Sequence, residues 1–139
     1  MKHSMILVLA AAALALTACG QSQADKAKAQ VCDARADIQK QVESLQGLTL
    51  STATVAGVTS SLKAISDNLG KIKDAQGDLN SDRKQQVQEA NQQFEAQVKS
   101  VAQNVGKSVS LKGAGSQLKQ ATAQLADSYR QTLAKVDCG

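Results

Sequence analysis

The strongest constraint on this chain is the spacing of its apolar residues, which recur every three or four positions along separate stretches. The clearest stretch covers residues 55–72, with successive spacings of 3, 4, 3, 4 and 3. Such spacing puts the apolar side chains on one face of an α-helix, and that face needs a partner to bury it. The pattern therefore predicts amphipathic helices that pack together.

Three further stretches have the same period, and weak breakers at Gly47, Gly77 and Gly113 separate the four: residues 31–45, 55–72, 87–109 and 118–136. The chain has 139 residues, no proline, one Phe and one Tyr, which argues against a β-sandwich. Short connections make successive helices antiparallel. We therefore expect an all-α fold, an up-down-up-down antiparallel four-helix bundle. A three-helix bundle or a longer coiled-coil hairpin is the alternative.

The first 18 residues differ in composition from the rest of the chain. A short basic start is followed by the uncharged residues 5–18, a run too short for a membrane-spanning helix but typical of a secretory signal. Residues 16–19 read Leu-Thr-Ala-Cys, which resembles the lipobox of bacterial lipoproteins. The resemblance implies cleavage after Ala18 and attachment of diacylglycerol to Cys19. An ordinary cleaved signal beside a coincidental cysteine is the alternative.

This resemblance sets the expected organisation of the chain: a signal peptide at 1–18, a lipidated tether at 19–23 and a helical domain at 24–139. Gly20 occupies the position at which enteric lipoproteins carry Asp when they are retained in the inner membrane. The resemblance thus implies an exported chain anchored to the outer face of a bacterial membrane, the outer membrane if the host has one.

Two cysteines remain after Cys19, namely Cys32 and Cys138. An even pair in an oxidising compartment usually forms a disulfide, and here the alternative is two free thiols. Early helix one and late helix four lie at the same end of an antiparallel four-helix bundle. In a three-helix bundle the two positions would be roughly 30 Å apart, too far for a bond. The predicted disulfide therefore favours four helices.

The only histidine is His3, inside the expected signal peptide. Without it the exported domain lacks the usual general base near neutral pH and the commonest metal ligand. We therefore expect no enzymatic activity, no catalytic residue, no cofactor and no metal site. We also do not expect the chain to bind nucleic acid, because aromatic residues, on which bases stack, make up only 1% of the chain.

Basic residues near the end of the chain form one candidate contact surface, with Lys119 and Arg130 on one flank of the fourth helix and Lys112 just before it. Such a flank could contact anionic headgroups or cell-wall polymers. A solvated helix edge is the simpler interpretation.

These features predict a membrane-anchored, non-enzymatic lipoprotein of the cell envelope that acts as a structural or protein-interaction module. Its expected partners are the membrane, through the lipid, and an envelope protein or cell-wall polymer. The alternative is an escort or pilot lipoprotein that binds a secretion or envelope component through a helical groove, an analogy based on architecture alone. An escort should expose an apolar groove, whereas a structural spacer should bury all four apolar faces.

Overall fold

The computed structural model describes residues 22–47, 55–108 and 114–138, and within these ranges it contains helices and no strand. The helices are α1 (Gln23–Gly47), α2 (Val55–Ala75), α3 (Ser81–Ser108) and α4 (Ala114–Gln131). Two 3₁₀ turns, Gln76–Asp78 and Leu133–Lys135, follow α2 and α4 respectively.

The four helices form a closed ring in which each one packs against two others. Helix α1 contacts α2 and α4, and α3 contacts the same two helices. Neighbours in sequence are therefore neighbours in space, as short connections require. The predicted all-α four-helix bundle is confirmed, and both the three-helix bundle and the hairpin are wrong.

The predicted apolar faces form the core of the bundle. In α1 every residue of the predicted face is buried: Val31, Ala34, Ile38, Val42 and Leu45. The faces of the other helices meet them in one continuous cluster. Fully burying a Val, Leu or Ile side chain stabilises a fold by about 1.5–3 kcal/mol, so this cluster holds together helices that are marginal alone.

The start of α1 is fixed by a serine cap. The Oγ of Ser22 accepts a hydrogen bond of 3.2 Å from the backbone N–H of Asp25. Such a cap satisfies one of the free N–H groups of the first turn, and the carboxylate of Asp25 suits the positive end of the helix dipole. The helix therefore begins at Gln23, one residue before the predicted boundary.

The end of α4 differs from the prediction of one helix running to residue 136. The α-helix ends at Gln131, because Thr132 has backbone angles of φ −116° and ψ −90°. The hydroxyl of Thr132 donates to the carbonyl of Ser128 at 2.6 Å. The chain then turns through Leu133–Lys135, which keeps Leu133 and Val136 buried after the helix has ended.

Two asparagines interrupt the apolar core between the helices. Asn91 of α3 is only 3% exposed, and its Nδ2 donates to the carbonyl of Leu69 in α2 at 3.5 Å. Asn68 of α2 donates instead to Ala64 in its own helix. The buried Oδ1 atoms of both have no hydrogen-bond partner among the described residues. Such atoms reduce stability, and a polar contact that crosses between helices restricts how they can pair.

Candidate functional site

Cys32 and Cys138 are joined in a disulfide, in agreement with the sequence prediction. Their Cα atoms are 5.6 Å apart and they are separated by 106 positions in the sequence. Cys32 lies in the first half of α1 and Cys138 lies beyond α4, so the bond closes the bundle at the end where α1 begins. Both residues are partly exposed.

The chain after α4 is also held by side chains of other helices, and we call residues 132–138 the clasped segment. Arg35 of α1 donates from Nη1 to the carbonyl of Val136 at 2.5 Å. The same atom makes a longer contact of 3.5 Å with the carbonyl of Ala134. Charge-assisted hydrogen bonds of this kind are among the stronger ones in proteins.

Helix α3 contacts the other side of the clasped segment. Arg83 donates from Nη1 to the carbonyl of Asp137 at 2.6 Å, and its Nη2 lies 3.6 Å from the carboxylate of the same residue. Gln86 reaches the carbonyl of Lys135 at 3.5 Å. Side chains of α1 and α3 thus contact the backbone oxygens of four consecutive residues, 134–137.

Sequence reasoning missed these contacts, although one signal was available. The chain has three arginines, at positions 35, 83 and 130, against thirteen lysines. The planar guanidinium is better suited than an ammonium group to fixed, directional hydrogen bonds. In a lysine-rich chain, the few positions that carry Arg are therefore candidates for structural contacts, and two of the three have that role here.

Tyr129 of α4 links the core to α1. Its hydroxyl lies 3.4 Å from the carbonyl of Arg35 and 3.5 Å from Oε1 of Gln39, both long for hydrogen bonds. Burial raises the pKa of Tyr129 above 10.0, while the charge of Arg35 lowers it and that of Glu43 raises it further. The phenol is therefore protonated at neutral pH and has no tendency to act there as a base.

A groove of about 570 Å³ runs between α2 and α3. It is lined by Thr59, Leu62, Lys63, Ser66, Asp67, Val98, Lys99, Ala102 and Val105. The apolar side chains at the bottom of the groove are almost completely covered, since Leu62, Val98 and Val105 are each less than a tenth exposed. The rim is neutralised by ion pairs, Lys63 with Asp67 at 3.2 Å and Lys99 with Glu95 at 3.0 Å. The groove thus has a shallow surface that fits a few side chains, and the charges at its rim are balanced by ion pairs.

A second groove, of about 360 Å³, lies between α1 and α2 and is lined mainly by polar and charged residues. Asp33, Asp37, Asp74 and Lys71 line it, with Asn68 among its walls. Asp37 is also paired with Lys40 at 3.8 Å on the exposed face of α1. Across the described residues, no group of His, Cys, Asp or Glu side chains is arranged to hold a metal ion.

The basic flank predicted on the fourth helix is only partly described by the structure. Lys119 is exposed in α4, and Arg130 is exposed but paired with Asp127 at 3.1 Å. Residues 119 and 130 are eleven positions apart, which is roughly 16 Å along the helix axis. The two side chains therefore do not form one compact cluster. Lys112 and Cys19 lie outside the described residues.

Within the ranges that the structure describes, no helix has both the length and the hydropathy of a membrane-spanning segment. A comparison of the chain with protein-family models, with curated proteins and with solved structures finds no match in any of the three.

Proposed function

We propose that the chain is an exported bacterial lipoprotein, anchored through Cys19, whose helical bundle is a non-enzymatic protein-interaction module of the cell envelope. The observation that carries this proposal is the use of the three cysteines. Two of them pair within the bundle, and the third stands in the sequence Leu16-Thr17-Ala18-Cys19. Each cysteine then has a role that fits an exported, lipid-bearing chain.

The disulfide supports export independently of the sequence motif. Structural disulfides persist in oxidising compartments and are rare where thioredoxin and glutathione keep thiols reduced. A bond between positions so far apart in sequence requires a folded bundle. We therefore propose that the domain folds and is oxidised on the outer side of a bacterial membrane, the outer membrane if the host has one.

The proposed anchor also orients the bundle. Cys19 precedes Ser22, the cap of α1, by three residues. The end of the bundle that holds the disulfide would therefore face the membrane. Val98 and Val105 of the α2–α3 groove follow the start of α3 by 17 and 24 residues, which is roughly 26 and 36 Å along the axis. Partners would then bind the groove at a distance from the lipid surface.

The volume of this groove favours an interaction module over a passive spacer, because a spacer needs no groove of this size between its helices. The apolar side chains at the bottom of the groove are almost completely covered. This argues against the escort alternative, because an escort that binds a partner helix needs a wider opening. We propose a partner that inserts a few apolar side chains between α2 and α3. No catalytic role is proposed, because the only histidine is His3.

Replacement of Cys19 tests the proposed lipid anchor and membrane location. In cells fed labelled palmitate, the wild-type chain and Cys32→Ser should both carry the label in the membrane fraction. Cys19→Ser should carry no label. A labelled Cys19→Ser chain, or a wild-type chain without acyl mass, would show that the lipobox resemblance is misleading.

Photo-crosslinking tests the proposed surface. A photoreactive residue at Ala102, in the groove, should give a discrete product in whole cells, and the same residue at the exposed Gln124 of α4 should not. Filling the groove with Ala102→Trp should remove the partner from co-purification while the helix content is unchanged. An escort would in addition mislocalise its partner when the chain is deleted. Equal crosslinking from both positions would contradict the assignment of the groove.

A further inference from the structure

The clasped segment occupies a cleft that is built by other parts of the bundle. Cys32 and Arg35 of α1 lie on one side of it, and Arg83 and Gln86 of α3 lie on the other. The segment is not part of a helix that fixes its position, because α4 ends at Gln131. It therefore resembles a short peptide bound between two helices and joined covalently to one of them.

The cleft recognises backbone more than side chains. It contacts the carbonyl oxygens of residues 134–137, which any peptide of the same conformation would present. Two side chains anchor the segment, since Leu133 is fully buried and Val136 is 3% exposed. Val136 itself has extended backbone angles, φ −63° and ψ 125°. An occupant must thus supply a 3₁₀ turn followed by an extended residue, two aliphatic side chains at this spacing and a thiol.

We propose that this cleft accepts the same segment from a second copy of the chain, giving a pair joined by Cys32 of one copy and Cys138 of the other. A second copy is the occupant that the contacts favour, because its residues 132–138 satisfy each of them without any new complementarity. The exchange requires a change of path only near Thr132, where the helix has already ended. Exchange of an identical element between copies is a low-cost route to a dimer.

The conditions of oxidation decide whether the disulfide forms within one chain or between two chains. The thiols of Cys32 and Cys138 lose two protons and two electrons to a disulfide oxidant such as oxidised glutathione, which leaves as two reduced molecules. Within one chain the clasped segment is present at an effective concentration of the order of millimolar. Dilute chains therefore close on themselves, and exchange competes where chains are crowded or where internal closure is blocked.

The experiment blocks internal closure. Full-length chains carry Cys19→Ser, so that no lipid or third thiol contributes, and are kept in detergent. One chain also carries Cys32→Ser and the other Cys138→Ser, and the two are mixed and treated with oxidised glutathione. Non-reducing gels and mass spectrometry of the linked peptides then count the three possible dimers.

The expected result is a roughly tenfold excess of Cys32–Cys138 dimers over either like-with-like dimer, because only in this pair does a seated segment raise the effective concentration of one thiol beside the other. Arg83→Gln on the chain that keeps Cys32 should remove this excess. The matched change Arg130→Gln, at an exposed arginine outside the cleft, should leave it intact. A random mixture of dimers, no dimer, or equal effects of the two arginine changes would overturn the proposal.

Circular dichroism shows whether the mixed variants are folded. If either has lost its helices, reduced chains that carry only the Cys19→Ser change are re-oxidised at rising protein concentration instead. Dimers linked only through Cys32 and Cys138 should then increase with concentration, and exclusively monomeric products at every concentration would overturn the proposal. Because the anchor is absent throughout, these outcomes do not depend on the proposed lipoprotein function.

Discussion

The ring of Phe94 meets the ring of Tyr129 edge to face, with centroids 5.8 Å apart and an angle of 74° between the planes. The pair joins α3 to α4 and contains the only Phe and the only Tyr of the chain. Phe94 is fully buried, and Tyr129 is 6% exposed. Among the buried side chains of the core, which are mainly aliphatic, these two rings are the largest.

Phe94→Ala should therefore lower the free energy of unfolding by about 3–5 kcal/mol, because the ring leaves a cavity and loses its aromatic partner. Urea denaturation followed by circular dichroism measures the change. Phe94→Leu retains most of the buried apolar surface and should cost clearly less. If the two variants unfold at the same urea concentration, aromatic packing is not what stabilises this interface.

Tyr129 should make the stability depend on alkaline pH. Its pKa is raised in the folded chain, chiefly by burial, so the unfolded chain loses the phenolic proton at lower pH. The stability due to this proton is fully present below pH 10.0, the pKa of the unfolded residue, and is lost as the pH rises through the folded pKa.

Ultraviolet absorbance of the phenolate measures this titration directly, because the chain has no other tyrosine. The folded chain should titrate at higher pH than the chain in urea. In Tyr129→Phe, the loss of stability across the same pH range should be smaller. Coinciding titrations of the folded and unfolded chains would show that the hydroxyl is not protected by the bundle.

Gly70→Ala should stabilise the bundle. Gly70 is exposed within α2, and a Cβ atom built on it meets no atom within 4 Å. Alanine in an exposed helix interior is more stable than glycine by about 0.5–1 kcal/mol, since the unfolded chain loses less entropy on folding. Thermal denaturation should show a higher midpoint for this variant, whereas Gly47→Ala, at the last residue of α1, should have a smaller effect. A lower midpoint for Gly70→Ala would mean that α2 is strained here.

Cys32→Ser should lower the free energy of unfolding by about 4–5 kcal/mol in the chain-entropy description of a long loop. The two cysteines are 106 positions apart in the sequence. Their disulfide therefore closes a long loop, which restricts the conformations that the unfolded chain can adopt. Denaturation of the reduced wild-type chain should coincide with that of Cys32→Ser. Arg35 and Arg83 still hold the clasped segment in both, so both should retain their helices at neutral pH without denaturant.

The helices and their core could be predicted from the sequence, because residues such as Ile38, Ile65 and Leu125 repeat with the helical period and all of them are buried. The number of helices and the proximity of Cys32 and Cys138 followed from the same topological argument. Helical periodicity depends only on residues that are close together in the sequence. An even number of antiparallel helices then places the start of the first helix and the end of the last one at the same end of the bundle.

The clasped segment could not be predicted in this way. Val136 continues the apolar period of α4, so the pattern extends the helix past Thr132, where the structure ends it. The contacts that redirect the chain come from Arg35 and Arg83, which are distant in sequence and belong to no periodic pattern. Asn68 and Asn91 were missed for a related reason, because a polar residue beside an apolar face is normally assigned to solvent.

The covalent ring between Cys32 and Cys138 changes what proteolysis does to this protein. One cut at an exposed connection between these residues would divide the backbone, yet both pieces would stay attached through sulfur. Such a nicked chain would migrate as an intact one until a reductant separated its fragments. Release of any piece of the chain between Cys32 and Cys138 would thus require either two cuts or one cut followed by reduction.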